Sequence, residues 1–140
     1  MRLRAIAMPL VAVLAAASLL QPQPGSEGDA VRVPKQANIT AACNPQRNGA
    51  VNPERIDMTR LDHVEWRSVS PKAVSFTITP KDPGNWPWAE TSFSGTADSA
   101  AVTPAPLPSA QLNHPYAYNV TVRCDDGSTE VIDPDIIIGT

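Results

Sequence analysis

The sequence predicts an all-β protein, an antiparallel β-sandwich of short strands. Residues 73–79 and 116–124 alternate hydrophobic and polar side chains, the pattern of a half-buried strand. The chain has 15 prolines among 140 residues, and a proline inside a helix costs about 3 kcal/mol, which argues against long helices. This length suits one hydrophobic core. We therefore expect a single sandwich domain over residues 31–140.

Residues 1–20 have the pattern of a secretory signal peptide. Arg2 and Arg4 precede an uncharged stretch, Ala5 to Leu20, that is shorter than the roughly 20 residues a membrane-spanning helix needs. An uncleaved N-terminal anchor is the alternative. Residues 21–30, which are polar and rich in proline and glycine, predict a flexible leader. The expected location is periplasmic or secreted, with no stable membrane span after cleavage.

The first half of the predicted domain carries weak strand signals. Residues 38–43 alternate faintly, with Ile39 and Cys43 in phase, and residues 63–67 do so around Trp66. Residues 54–62 fit either a short helical turn or a strand, and the pattern does not choose between them.

The second half carries clearer signals. Residues 73–79 place Val74, Phe76 and Ile78 on one face. Residues 116–124 align five inward positions, namely Tyr116, Tyr118, Val120, Val122 and Cys124. Asp126-Gly127 predicts a hairpin to a strand at 129–132, because both residue types tolerate positive φ. A closing strand follows at 135–138, after an interruption at Pro134.

The segment from residue 80 to residue 115 is proline-rich and has no sustained period. It predicts a long irregular connection between strands.

The two cysteines predict a disulfide. Cys43 and Cys124 are an even pair in a chain expected to enter an oxidising compartment, and they lack the C-x-x-C spacing of redox or metal motifs. A reactive or metal-binding thiol is the alternative.

The acidic residues around Cys124 lack the spacing of a calcium loop and suggest a solvated strand edge; they are Asp125, Asp126, Glu130, Asp133 and Asp135.

The sequence offers no catalytic motif. His63 and His114 stand without a partner motif, and no G-x-S-x-G turn occurs. We therefore expect a protein that is not an enzyme and that needs no cofactor, with an exported hydrolase as a third possibility. The net charge of -3 and pI near 5.2 argue against nucleic-acid binding.

Trp86, Trp88 and Phe93 form a candidate partner surface within the proline-rich connection. Indole rings projecting from a loop stack on a sugar or a peptide, so the partner would be a glycan or a protein. The alternative is that these rings fold back and plug one end of the sandwich.

Three motifs resemble a cupredoxin-like sandwich without its metal: D-x-V-x-W at 62–66, F-x-I-x-P at 76–80 and Y-x-V-x-V at 118–122. A type-1 copper site needs a thiolate, two imidazoles and an axial ligand. No histidine or methionine follows Cys124, so no metal is expected. An immunoglobulin-like Greek key is the other candidate. It fits the order Cys43, Trp66, Cys124, but it expects tyrosine where Val122 stands.

The C-terminal half resembles a group of small exported bacterial proteins whose function is uncharacterised. The shared motifs are W-P-W at 86–88, Y-x-Y-x-V-x-V at 116–122 and D-P-D-I-I-I at 133–138. The resemblance covers about residues 60–138 and implies export and a cupredoxin-like fold. The resulting hypothesis is an exported, non-catalytic module with a binding or envelope-accessory role. The alternative is a metal-binding or redox protein of cupredoxin descent.

Overall fold

The computed structural model describes residues 34–140, which form ten β-strands and no helix. The signal peptide predicted at residues 1–20 and the flexible leader predicted at residues 21–30 both lie outside the described residues. The strands are β1 (Lys35–Thr40), β2 (Ala50–Asn52), β3 (Arg55–Thr59), β4 (Val64–Ser68), β5 (Ala73–Pro80), β6 (Phe93–Thr96), β7 (Ala101–Val102), β8 (Pro115–Cys124), β9 (Thr129–Ile132) and β10 (Asp135–Gly139). The all-β prediction is confirmed.

The strands form two sheets. One has the order β2-β1-β4-β7, and the other has the order β3-β10-β8-β5-β6 with β9 also paired to β8. Both sheets are mixed, because β1 runs parallel to β4 and β3 runs parallel to β10. The prediction of purely antiparallel sheets is therefore wrong at these two pairs. Alternation along one strand reports which face is buried and carries no information on the direction of its neighbour.

The core lies between the inner faces of β5, β8, β4 and β10. All five inward positions predicted for β8 are buried. On β5, Phe76 and Ile78 are buried as expected, but Val74 is 48% exposed. An irregularity in pairing between Ala73 and Ser75 shifts the register, so Ala73 takes the inward position. A β-bulge of this kind changes which side chain faces the core without changing the sequence pattern.

One long edge of β8 is shared by two strands. The first part of β8 pairs with β10 and the second part with β9. The Asp126-Gly127 turn joins β8 to β9 as predicted, with Gly127 at φ 85°. Pro134 lies where the chain passes from β9 to β10, and its carbonyl accepts the Tyr118 N–H at 3.1 Å. Proline has no N–H to return to β8, so the ladder lacks one donor at this point, where β9 ends and β10 begins.

The proline-rich connection contains two short strands, β6 and β7. The prediction of an irregular connection is wrong for these residues, because strands this short do not show a two-residue period. Residues 54–62 form a strand, β3, in their first half. This resolves the choice between helical turn and strand.

Candidate functional site

The predicted disulfide is confirmed. Cys43 and Cys124 are bonded, with Cα atoms 5.7 Å apart. Cys124 ends β8, whereas Cys43 lies in the loop after β1, so the bond joins the two sheets. The strand predicted through residue 43 ends at Thr40, and Cys43 adopts φ 46°. Both cysteines of the chain are used in this bond.

A carboxylate on β9 holds the same loop. Glu130 pairs with Val122 of β8 and therefore points toward the inner side of its sheet. Its carboxylate accepts the Cys43 N–H at 3.0 Å and the Gly49 N–H. Charge-assisted hydrogen bonds of this kind are stronger than neutral ones. We call Glu130, Cys43 and Gly49 the clasp.

Position 49 requires glycine, because atoms of Glu130 and Thr40 lie too close for a side chain. A Cβ at this position would lie 2.5 Å from Glu130 Oε1 and 2.6 Å from the Thr40 carbonyl oxygen. Contacts this short do not occur between real atoms of these types. The clasp thus depends on a residue without a side chain at position 49.

Two grooves flank the clasp. The first, which we call the β2–β9 groove, has a volume of about 400 Å³ and is lined by Ala50, Val51, Glu54, Val131, Ile132 and Asp133, with neighbouring backbone. The second, the Cys43 groove, is of similar volume and is lined by Asn44, Arg47, Asp126, Ser128, Thr129 and Val131, among others. Volumes of this size are at the lower end of ligand-binding pockets.

The outer edge of β9 runs along both grooves. The backbone N–H and C=O groups of the even-numbered residues of β8 point toward β9 and β10. The Tyr118 N–H donates to the Pro134 carbonyl, and the Cys124 N–H donates to the Ser128 carbonyl. Because hydrogen-bonded pairs alternate in an antiparallel ladder, Thr129 and Val131 direct their N–H and C=O groups away from β8. Among residues 34–140, no strand pairs with this edge of β9.

The charges around the grooves are mostly at the surface. The Ser128 hydroxyl and N–H both donate to Asp126, and these bonds hold the pKa of the Asp126 carboxyl below its ordinary value. Asp133 forms an ion pair with Lys81. Arg47 brings a cation to the Cys43 groove.

The aromatic residues gather in the core around Trp66, not on the surface. Trp88 is 3% exposed and donates its indole N–H to the Pro104 carbonyl at 2.8 Å, and Phe93 stacks on Trp66 at 6.2 Å between ring centroids. Trp86 is half-buried, with its ring 5.1 Å from that of Trp88. The partner surface predicted from these residues therefore retains only Trp86 as a partly accessible ring.

A buried tyrosine completes this cluster. Tyr118 accepts a hydrogen bond from the Trp66 indole N–H at 3.2 Å. Burial raises the pKa of the Tyr118 phenol well above its ordinary value, an effect that the bond from Trp66 opposes.

The two histidines do not meet at the clasp. His114 Nε2 lies 2.8 Å from the side-chain nitrogen of Asn85, and the ring packs edge-on against Tyr116. The His63 carbonyl accepts the Lys35 N–H at the start of β1. Neither residue lines the two grooves.

The clasp and the disulfide also bring together residue types that bind metals. Cys43, Cys124 and Glu130 place their ligand atoms within 4.8 Å of one another. The sulfurs are bonded to each other, however, and a metal is bound by thiolate rather than by a disulfide. The oxidised protein therefore offers only the Glu130 carboxylate at this point.

Sequence reasoning identified the disulfide but not the residues that complete the site. Glu130 was predicted at a solvated edge, and its contact with Gly49 was not predicted, since it joins residues far apart in the chain. No protein-family model matches this chain, and a search of curated proteins likewise finds no match. Within residues 34–140 there is no helix of the length and apolar character needed to cross a bilayer.

Proposed function

We propose that this protein is an extracytoplasmic, non-catalytic binding module that takes up a protein partner along the two grooves beside the clasp. The observation that carries the proposal is the continuity of these grooves along the unpaired edge of β9. Ala50, Val51 and Ile132 supply apolar contacts, and Glu54 and Arg47 supply polar groups at the rim. The lining thus combines apolar and polar groups in a concave surface, and polar groups that converge in a pocket fix the orientation of what binds there.

The partner is a protein rather than a glycan. Among residues 34–140, no aromatic side chain lines either groove, and stacking on aromatic rings is the usual way to hold a sugar ring. Trp88 and Phe93, which were predicted to contact either a glycan or a protein, are part of the core. An envelope-accessory role is compatible with this partner class.

The location is supported by two independent observations. A disulfide persists in an oxidising compartment and is rare in a reducing cytosol. The first 20 residues carry the charge and hydropathy pattern of a secretory signal peptide. A cupredoxin-like sandwich, suggested by the three motifs in the sequence, is the fold type we favour over an immunoglobulin-like one.

A photoreactive amino acid at position 131 tests the proposal. Val131 is 61% exposed beside both grooves, and Val74, 48% exposed on β5, is the matched control position. Full-length protein carrying the probe at either position is irradiated in the producing cells, and adducts are identified by mass spectrometry. We expect one defined protein adduct from position 131 and none from position 74. Equal labelling at both positions, or none, would contradict a binding role for the grooves.

A metal-binding or redox function is the second candidate, supported by the proximity of Cys43, Cys124 and Glu130. Two thiolates and a carboxylate suit zinc once a dithiol reductant has converted the disulfide to two thiols. Metal analysis of the protein before and after reduction tests it. One bound equivalent in the reduced protein alone supports this candidate, and no bound metal in either state rejects it.

A further inference from the structure

We infer, on the basis of the proposed function, that the partner enters as an extended peptide segment that pairs with the free edge of β9 and carries a lysine or arginine toward Glu54. Strand addition of this kind obtains affinity from main-chain hydrogen bonds and specificity from alternate side chains.

The backbone of β9 is oriented for this pairing. The ladder assigns the N–H and C=O groups of Glu130 and Ile132 to β8. The corresponding groups of Val131 and Thr129 face the opposite way, along the grooves. A peptide strand laid there would meet donors and acceptors at the spacing of a β-ladder.

The edge has some of the features that protect exposed strands and lacks others. Natural edges are protected by short length, inward-pointing charges, lysine, proline, bulges or a covering segment. β9 is only four residues long, T-E-V-I, and Glu130 points inward to the clasp, where two N–H groups bind its carboxylate, but the strand contains neither lysine nor proline. Val131 instead presents an exposed apolar side chain at the centre of the strand.

The charge of the peptide follows from the β2–β9 groove. In the part of the chain that the structure describes, its charged lining residues are Glu54 and Asp133, with no cation among them. Asp133 is already paired with Lys81, whereas no ion pair is found for Glu54 among the described residues. A basic residue at one end of the peptide would be attracted to Glu54, and charge complementarity at a rim favours correct partners.

The site is also held in place before binding. The disulfide fixes Cys43, and the Glu130 carboxylate fixes Gly49 at the far side of the same loop. A surface that is already ordered loses less conformational entropy when a partner binds.

A synthetic peptide tests the inference. The probe is a short acetylated peptide of alternating valine and threonine with a lysine at each end, titrated into the disulfide-bonded protein by NMR. We expect shifts and slowed amide exchange at Thr129 and Val131. A copy with N-methylated backbone amides should bind at least fivefold more weakly, about the effect of one lost hydrogen bond. A copy with glutamate in place of lysine should also bind more weakly.

Two variants separate backbone from side-chain recognition. Val131→Pro removes an outward N–H that β8 does not use, and proline is tolerated at a strand edge. Val131→Thr keeps that N–H and is the matched control. We expect Val131→Pro to weaken peptide binding at least fivefold and Val131→Thr to retain most of it. Thermal melting of both variants verifies folding, and the N-methylated peptide supplies the same test on the unmodified protein.

The possible failures are distinct. If the peptides do not bind, or bind equally with and without N-methylation, while the adduct at position 131 persists, strand pairing is wrong and the groove remains a binding surface. If neither peptide binding nor the adduct at position 131 is observed, the proposed function is wrong as well. A concentration-dependent dimer abolished by Val131→Pro would assign the edge to a second copy of the chain and overturn the peptide inference. Equal binding of the lysine and glutamate peptides would overturn the basic character assigned to the partner.

Discussion

Glu130 accepts the backbone N–H of Gly49 across the gap between the two sheets, and the space beside that hydrogen bond is too small for a methyl group. The two residues are 81 positions apart in the chain. The same carboxylate also accepts the Cys43 N–H. One acidic side chain therefore holds the loop at Gly49 and at Cys43, the residue that the disulfide also fixes.

Gly49→Ala is expected to destabilise the protein by about 2 kcal/mol, the range for forcing an extra methyl group into a packed site. The new Cβ must displace the Glu130 carboxylate or the Thr40 carbonyl. Gly84→Ala is the matched control, because its Cβ would come no closer than 3.4 Å to a neighbour, the side chain of Asp82. Denaturant unfolding measures both. Equal stability of the two variants would show that the loop relaxes at no cost.

Glu130→Ala is expected to lower the free energy of unfolding by about 2 kcal/mol, because two part-buried N–H groups lose a charged acceptor. Glu130→Gln keeps one carbonyl acceptor, so its free energy of unfolding should fall by about half as much. Asp125→Asn, which changes an exposed carboxylate in the neighbouring turn, serves as control and should stay within about 0.5 kcal/mol of the parent. Faster amide exchange at Gly49 in Glu130→Ala would locate the effect at the clasp.

Replacing both cysteines by alanine is expected to cost up to about 4.5 kcal/mol, the chain-entropy value for a closed loop of this length. The bond spans 81 positions. Urea unfolding of the double variant, compared with the oxidised parent, measures the loss. A difference below about 1 kcal/mol would mean that the sheets hold together without the bond.

The sequence was most informative where burial and local pattern coincide. β8 alternates over its whole length and pairs on both edges, so its inward residues are also its hydrophobic ones. Val74 is hydrophobic but points outward, because a bulge that depends on the partner strand shifts the register. Glu130 is charged but points inward, because two N–H groups from a loop more than 80 residues earlier in the chain bind its carboxylate. Such contacts depend on tertiary structure and leave no local signal.

Trp88→Ala is expected to cost about 3–5 kcal/mol, the usual penalty for truncating a buried aromatic ring. The Trp88 ring contacts Trp66 and Phe93, and its indole N–H is bonded to Pro104 O. Trp86→Ala removes a half-buried ring from the same motif and should cost about 1–2 kcal/mol. Thermal unfolding of the two variants makes the comparison. A larger loss for Trp86→Ala would contradict the assignment of Trp88 to the core.

The stability of the protein is expected to decline as the pH rises above 10.0, the ordinary pKa of tyrosine. The unfolded chain releases the Tyr118 proton near that pH, whereas burial keeps the phenol protonated in the folded protein, so deprotonation favours unfolding. Tyr118→Phe should flatten this decline. At neutral pH the same variant should lose about 1–2 kcal/mol, because the Trp66 indole N–H then has no acceptor. Urea unfolding of both proteins between about pH 8 and 11 measures the two slopes. Identical slopes would show that Tyr118 ionises as readily in the folded protein as in the unfolded chain.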